Sequence, residues 1–513
     1  MITLLPERYR FRSLEHFNWL DMKTIIINIL LCAMLCTMVA CDSWLDTTPP
    51  SQVPEEDQFD DEFGFRQALI GCYIGMADVD LYGKQLTWYS VEMQSGQYSI
   101  HTQAQIYAMG TYQYTTQRAL SVLNSVWEKA YNVIANANNA LKFIDKRQGV
   151  LDPISYRMIK GELLAIRAML HFDLMRLYGY GNLANRTDKS TRLTIPYVKD
   201  YDKEITLQST YDKTIELIIN DLTNALGLLD DEPITGKYPA DYYDALNDDG
   251  FFSDRTFRLN YFAVKALLAR VYMWEGSDAS IALARQEALD VIREGERLQL
   301  YQWITTDVVS TDPIHSTEHI TSLNIPAFTD RLSDYFLYNF LEGTAYNAIK
   351  LSEDGLEDIY YETGTGENAD YRLEKLFFRN SNGDYTPLKL AQDRSSGYLK
   401  LNRMPLIRLP EMYLIVAESY LRGANINLTE AVSYLKTLRE KRSNYIDISG
   451  YTRDELLTCL MNEYRREFLC EGVTFFYFKR IGATDIPNLT VEMSDEKYLW
   501  PYPAIEREMG HVQ

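Results

Sequence analysis

Three residues in the middle of the chain have the spacing of a metal-binding catalytic motif. His315, Glu318 and His319 follow the H-x-x-E-H pattern of inverted zinc peptidases, in which two histidines bind zinc and the glutamate acts as general base. That chemistry requires a helix with both histidines on one face. Asp312-Pro313 precedes the motif and a strand-like alternating run follows it. We therefore predict no metal site here.

Three glutamates near the C-terminus could supply the paired carboxylates that a glycosidase needs across a cleft. Glu463, Glu467 and Glu471 recur every four residues, which places them on one helical face. Arg465 and Arg466 are interleaved with them, and such alternation is typical of an ion-pair network. The group is interpreted as structural, and the sequence predicts neither a catalytic residue nor a cofactor.

Aromatic and amide side chains form the most useful binding signal. The chain has 38 Tyr, 20 Phe and 7 Trp, and several aromatics fall in an apparent loop between the first predicted helix and Trp127. Aromatic faces stack on the C–H faces of sugars, and amides bond to the hydroxyl groups. The alternative for each ring is burial in the core or contact with a partner protein. The candidate ligand contacts are Trp88, Tyr89, Gln97, Tyr98 and Tyr107.

Composition restricts the class of protein. A length of 513 residues exceeds one ordinary core, and 46% apolar with 24% charged residues is typical of a globular chain. Disorder, collagen and a polytopic membrane protein are thereby excluded. The chain carries 51 basic and 72 acidic residues, a net charge of −21. That charge repels phosphate backbones and disfavours nucleic-acid binding.

The N-terminal region has the pattern of a lipoprotein signal peptide. Lys23 precedes an apolar run over 25–35, and Met38-Val39-Ala40 lead to Cys41. A lipoprotein signal peptidase needs a cysteine directly after small residues, so we expect Cys41 to be acylated, with palmitate among its lipids. A soluble exported protein or a retained membrane anchor is the alternative.

These features divide the N-terminal part of the chain into segments. Residues 1–21 carry six charges and are predicted to be an upstream mis-start, with Met22 as the true start and 22–40 as the signal peptide. The absence of residues 1–40 from the mature chain takes away four basic and three acidic residues and leaves a net charge of −22. Residues 41–60 form a Pro-rich acidic tether. The remaining thiols, Cys72, Cys459 and Cys470, are expected to be buried without a disulfide.

Apolar residues at i, i+3, i+4 and i+7 predict helices along most of the remaining chain. Several of these segments alternate Ala with large residues and end in Gly, as in tetratricopeptide-type hairpins. We expect a mostly α protein, an irregular tetratricopeptide-like scaffold of four helical hairpins. A loop-rich, partly β elaboration covers 296–405. The predicted helices are 64–76, 121–145, 156–178, 210–229, 259–275, 280–294, 410–422 and 429–442.

Seven segments in order resemble the SusD/RagB family of outer-membrane lipoproteins, and the resemblance extends over essentially all of 41–513. The lipidated start, early helices and C-terminal motifs each have a counterpart. The segments begin at Cys41-Asp42-Ser43-Trp44-Leu45-Asp46, Ala68-Leu69-Ile70-Gly71-Cys72-Tyr73, Trp127, Glu162, Arg408, Asn462-Glu463 and Leu499-Trp500-Pro501.

The resemblance implies a surface-exposed lipoprotein of the Gram-negative outer membrane that binds a nutrient and delivers it to a SusC-like TonB-dependent transporter. The ligand is expected to be a glycan, with peptides as the alternative. A later loop joins the ligand platform in this family, which adds Asp334, Tyr335 and Tyr338 to the candidates.

The domain organisation and two rival functions complete the expectations. We expect one SusD-like domain over 61–513, with an N-terminal part at about 61–230 and a C-terminal part at about 255–513. One rival is a surface lipoprotein hydrolase, and the other is a structural helical-repeat adaptor without a small-molecule ligand.

Overall fold

The protein is mainly helical in a computed structural model that describes residues 57–247, 249–336, 346–363, 369–380, 383–392, 397 and 400–513. Its longer helices are α1 (Glu62–Met76), α2 (Gln117–Ile144), α3 (Pro153–Tyr178), α4 (Tyr211–Leu229), α5 (Tyr261–Glu275), α6 (Asp278–Arg297), α7 (Glu353–Tyr360), α8 (Leu409–Arg422), α9 (Leu428–Glu440), α10 (Arg453–Glu467) and α11 (Thr474–Ile481). Short helices occur at Ser90–Met93, Tyr107–Gly110, Phe328–Leu332, Tyr371–Lys375, Asp495–Tyr498 and Ala504–Glu508.

All eight predicted helices are confirmed, with ends that differ by a few residues. Side-chain caps determine several of the helix starts. The Thr116 side chain accepts a hydrogen bond from Ala119 N at the start of α2, and the Ser277 side chain accepts one from Ser280 N at the start of α6. Helices α7 and α11 were not among the predicted segments. Helix α10 was assumed only where the spacing placed Glu463, Glu467 and Glu471 on one helical face, and that assumption is wrong for Glu471, because α10 ends at Glu467. Thr452 and Glu455 form a capping box at the start of α10, a signal that was readable in the sequence.

Successive helices pair into the four expected hairpins. Helix α1 packs on α2, α3 on α4, α5 on α6, and α8 on α9. Contacts of α2 with α3, α4 with α5, and α6 with α8 join each hairpin to the next. The mostly α, tetratricopeptide-like architecture is therefore confirmed.

The core lies between these hairpins. The same apolar periodicity predicts eight core positions within these helices, and each of them is at most 7% exposed. Burial of an aliphatic or aromatic side chain contributes about 1.5–3 kcal/mol each, so the hairpins are held mainly by this packing. Cys72, Cys459 and Cys470 are also buried and free of disulfides. The confirmed core residues are Ile134, Leu164, Phe172, Leu174, Leu267, Leu268, Leu414 and Val416.

Short antiparallel strand pairs occur outside the hairpins. The longest pair, β3 (His319–Asn324) with β6 (Arg403–Arg408), crosses the loop-rich region and leads directly into α8. The other pairs are β1 (Leu193–Pro196) with β2 (Gln208–Thr210), and β4 (Phe377–Arg379) with β5 (Tyr385–Pro387). The partly β character expected for 296–405 is present.

Residues 1–56, with the predicted signal peptide, Cys41 and most of the tether, lie outside the described residues. Among the helices of the described part of the chain, none is both long enough and apolar enough to cross a bilayer.

Candidate functional site

Two segments that are far apart in the sequence meet on one side of the protein. The ring of Tyr335 lies 5.3 Å from that of Trp88 and 5.0 Å from that of Tyr89, measured between centroids. Phe336 also packs on Trp88, with 5.7 Å between the centroids. The loop after α1 and the segment before residue 337 therefore form one aromatic cluster, which is defined here by these four residues.

Four of the sequence candidates turn out to be core residues. Trp88 is fully buried, Tyr89 and Gln97 are 3% exposed, and Tyr98 is 9% exposed. The Trp88 indole N–H donates to Gly83 O at 3.2 Å, and the indole makes T-shaped contacts with the rings of Tyr89 and Tyr335. Direct ligand contact is at odds with this burial. These residue types are common in binding loops, but in this structure the four side chains are buried and stabilise the conformation of the loop.

Three of the remaining candidates reach the surface. Asp334 is exposed, and Tyr107 and Tyr335 are half-buried. Tyr338 lies outside the described residues. Lys84 holds Tyr335 in place: its Nζ donates to the phenol oxygen at 2.6 Å and lies 4.3 Å from the ring centroid. The bonded ring is fixed before any ligand arrives, which reduces the entropy that binding would cost.

A second contact between the same two regions was missed in the sequence. The rings of His101 and Tyr346 lie 4.6 Å apart, and Tyr346 is 48% exposed. Gln105 N donates to Asn347 Oδ1 at 3.0 Å. Nothing in the local sequence marks these residues, because only the fold brings residue 101 next to residue 346. We define the candidate site as the surface of Lys84, His101, Tyr107, Asp334, Tyr335, Tyr346 and Asn347.

Below this surface, Glu92 ties the loop to the C-terminal helices. Its carboxylate accepts hydrogen bonds from the Tyr98 hydroxyl at 2.6 Å and from the backbone N–H groups of Cys470 and Gly472 at 2.9 and 2.8 Å. Burial raises the pKa of Glu92 to about 7, although these three donors act in the opposite direction. The loop is therefore supported by buried polar contacts as well as by aromatic packing.

The glutamates that resembled a glycosidase pair belong to a buried ion-pair network, as the sequence predicted. Glu467 bonds to Arg372, Arg408 and Arg442 at 2.7–2.9 Å. Burial by itself would raise the pKa of Glu463, but the neighbouring guanidinium groups outweigh it and lower that pKa to about 2. Carboxylates held ionised in this way cannot serve as general acids near neutral pH.

The H-x-x-E-H residues do not converge as they do in a peptidase. Within the described chain, His315, Glu318 and Glu467 offer donor atoms within 4.8 Å of one another, and His319 is not part of this group. His319 Nε2 lies 3.0 Å from Ile314 O. Both oxygens of Glu318 are bonded to Arg442, at 2.8 and 2.6 Å. A metal would have to displace these guanidinium contacts, so the donor set favours an ion-pair role.

Comparison with known families gives two matches along the chain. Residues 43–240 match a SusD-like family described as starch-binding and associating with the outer membrane. Residues 329–507 match the SusD family. A search of curated proteins gave no match.

Solved structures with the same fold cover most of the chain. A SusD superfamily protein from Bacteroides thetaiotaomicron has 22% identity and a TM-score of 0.68, covering 88% of this chain and 99% of its own. One from Bacteroides vulgatus has 20% identity and a TM-score of 0.67, covering 88% and 97%. A SusD-like carbohydrate binding protein from Bacteroides vulgatus has 16% identity and a TM-score of 0.67, covering 87% and 96%. At these identities the likeness shows the fold.

Proposed function

The chain belongs to the SusD/RagB family, and on that premise we propose that it is a carbohydrate-binding protein of the outer membrane and not an enzyme. The observation that carries this proposal is the junction of the two segments at the candidate site. Tyr335 and Tyr346 offer aromatic faces there, and Asp334 and Asn347 offer hydrogen-bonding oxygen and nitrogen atoms. Sugar binding uses this combination of stacking and side-chain hydrogen bonds.

A binding role fits the chemistry of the carboxylates better than a hydrolytic one. The glutamates with catalytic spacing are buried and paired with arginine. A glycosidase instead needs two carboxyl groups of different pKa facing an open cleft. The fold is also shared with a SusD-like carbohydrate binding protein, which supports a glycan ligand over a purely structural adaptor.

The proposed cellular role is delivery of the bound glycan to a transporter. Cys41 would carry the lipid anchor, and the Pro-rich segment 41–60 would act as a pivot at the cell surface. The partner would be a SusC-like TonB-dependent transporter, with an interface of about 2,000 Å² or more, as stable complexes have. The family description of association with the outer membrane supports this location.

A glycan array, with a peptide library in parallel, tests the ligand class on the mature chain 42–513. We expect binding to neutral glycans without any release of reducing ends over time. Turnover of a bound polysaccharide would favour the hydrolase. Binding of a peptide would change the proposed ligand class from glycan to peptide. Capture of a transporter without any ligand would favour the structural adaptor.

A further inference from the structure

A groove with a volume of about 940 Å³ lies beside α1, outside the candidate site. One wall is α1, and the others are the segment 249–258 and the end of β3 with residues up to Arg331. Ligand pockets usually have volumes of about 300–1,000 Å³. The groove therefore has room for several sugar rings.

The groove carries planar donors that are already fixed in position. The Arg66 guanidinium lies 4.9 Å from the centroid of the Phe251 ring, and that of Arg258 lies 4.9 Å from the centroids of both Phe251 and Tyr73. Arg66 is also bonded to Glu62 and to Asp249. Stacked guanidinium groups lose little freedom when they bond to a ligand, because their orientation is set beforehand.

The charge of the lining selects against ionic ligands. Three cations and three carboxylates line the groove, whereas the whole chain has a net charge of −21. A balanced lining gives no net attraction for an acidic or a basic ligand. The lining suits a neutral ligand that can accept hydrogen bonds from the arginines and donate hydrogen bonds to the carboxylates. The charged residues are Arg66, Arg258, Arg331, Asp78, Asp249 and Asp254.

Open side chains in the groove fit a sugar better than a peptide strand. Phe63 is 65% exposed, and Gln67 and Asn324 are exposed as well. An extended peptide would need a free strand edge. The segment 256–260 already lies along β3: the Thr321 and Ser322 hydroxyls donate to the carbonyl groups of residues 258 and 256 at 2.8 and 3.2 Å, and the Asn260 amide donates to the backbone carbonyl of Ile320 at 2.9 Å.

We propose that this groove is a second binding site, for a neutral oligosaccharide, separate from the candidate site. The ligand class rests on the proposed function, whereas the position rests on the groove itself. Arg331 marks the boundary between the two: it lines the groove, and its Nη1 donates to Ala77 O at 2.9 Å, next to the turn that carries Lys84.

The test uses the mature chain 42–513 and an array of neutral glycans, followed by calorimetric titration with the array glycan of strongest signal. Phe63→Ala and Asn324→Ala alter the groove at exposed positions, so both variants should fold. Ile505→Ala, at a 49% exposed position on the last short helix, is the matched control. We expect two sites per chain in the unaltered protein, and each groove variant should weaken one of them at least tenfold.

The outcomes separate the groove from the proposed function. If both groove variants keep the affinity and stoichiometry of the unaltered chain while Tyr335→Ala loses binding, the groove assignment is overturned and the proposed function stands. If no neutral glycan binds the unaltered chain, both the groove assignment and the proposed carbohydrate-binding function are contradicted. A circular-dichroism melt of each variant guards against misfolding, and Gln67→Ala, on the exposed side of α1, replaces any variant that fails it.

Discussion

Lys84 Nζ donates a 2.6 Å hydrogen bond to the phenol oxygen of Tyr335, a residue 251 positions further along the chain. The same ammonium group lies 4.1 Å from the ring centroid of Tyr89. Cation–π contacts of this kind contribute about 0.5–2 kcal/mol each. This single side chain therefore joins the loop after α1 to the second half of the candidate site.

Replacement of Tyr335 by Ala should weaken glycan binding at the candidate site by about 1–3 kcal/mol, the scale of losing an aromatic contact at the centre of an interface. The ring is half-buried, so the effect on stability should be smaller than for a core residue. Titration with a glycan identified on the array measures the change. Tyr445→Ala, at a 56% exposed tyrosine elsewhere, is the control and should bind normally. Equal affinity in both variants would remove Tyr335 from the site.

Trp88→Ala should lower the free energy of unfolding by about 3–5 kcal/mol, because the indole is fully buried and its removal leaves a cavity. The sequence alone had placed Trp88 among the candidate ligand contacts, where its loss would affect binding and not folding. Urea denaturation measures the cost, and Trp88→Phe should recover part of it by keeping an aromatic ring. A Trp88→Ala protein as stable as the unaltered chain would contradict the packing described here.

Stability should fall in acid as the buried network is protonated. The pKa of Glu463 is about 2 in the folded protein, below the value of about 4.3 expected for an unfolded chain. The contribution of Glu463 to the free energy of unfolding is therefore present above about pH 4.3 and is lost as the pH falls toward 2. Glu463→Gln should lack this part of the pH dependence and should cost about 3–5 kcal/mol at neutral pH, since it removes the carboxylate that pairs with the buried Arg439 and one of the carboxylates that pair with Arg372 and Arg466.

Urea midpoints measured from pH 6 down to pH 2 check the sign of this effect. Glu492→Gln, at an exposed position near the C-terminus, is the control and should behave as the unaltered chain. A Glu463→Gln protein with the full acid-induced loss would place the titrating groups elsewhere.

Cys41→Ser should release the protein from membranes, because the serine hydroxyl cannot take the diacylglycerol that a lipoprotein cysteine receives. Fractionation of cells after a salt wash measures the release. Cys36→Ser is the matched control, since bulky Leu35 precedes it and it does not fit a lipobox. Retention of the Cys41→Ser protein in the washed membranes would show that lipid at this residue is not the anchor.

Zinc added to the purified chain should not bind stoichiometrically at His315. Both carboxylates next to this histidine, Glu318 and Glu467, are bonded to arginine. Metal analysis after gel filtration, with His315→Ala for comparison, checks this. One zinc per chain that is lost in His315→Ala would overturn the ion-pair interpretation.

The helical scaffold was predictable because its signals are local. Apolar periodicity identified the eight hairpin helices, and the core residues taken from the same pattern, such as Phe172 and Leu267, are buried. The interleaved charges around Glu463 and Glu467 were sufficient to predict an ion-pair network. The helices and the spacing of these charges depend on residues within one or two helical turns, whereas the partners of Glu467 (Arg372, Arg408 and Arg442) come from other parts of the chain.

The candidate site could be predicted only in part, because it is made by contacts between distant segments. The sequence determined that the loop after α1 is rich in aromatic and amide residues. Only the tertiary structure decided that Trp88 and Tyr98 are buried while Tyr335 and Tyr346 reach the surface. A ring's exposure depends on which other rings cover it, and here the covering residues come from the opposite half of the chain. Local spacing carries no information about that pairing, because the two segments are about 250 residues apart in the sequence and only the tertiary fold brings them together.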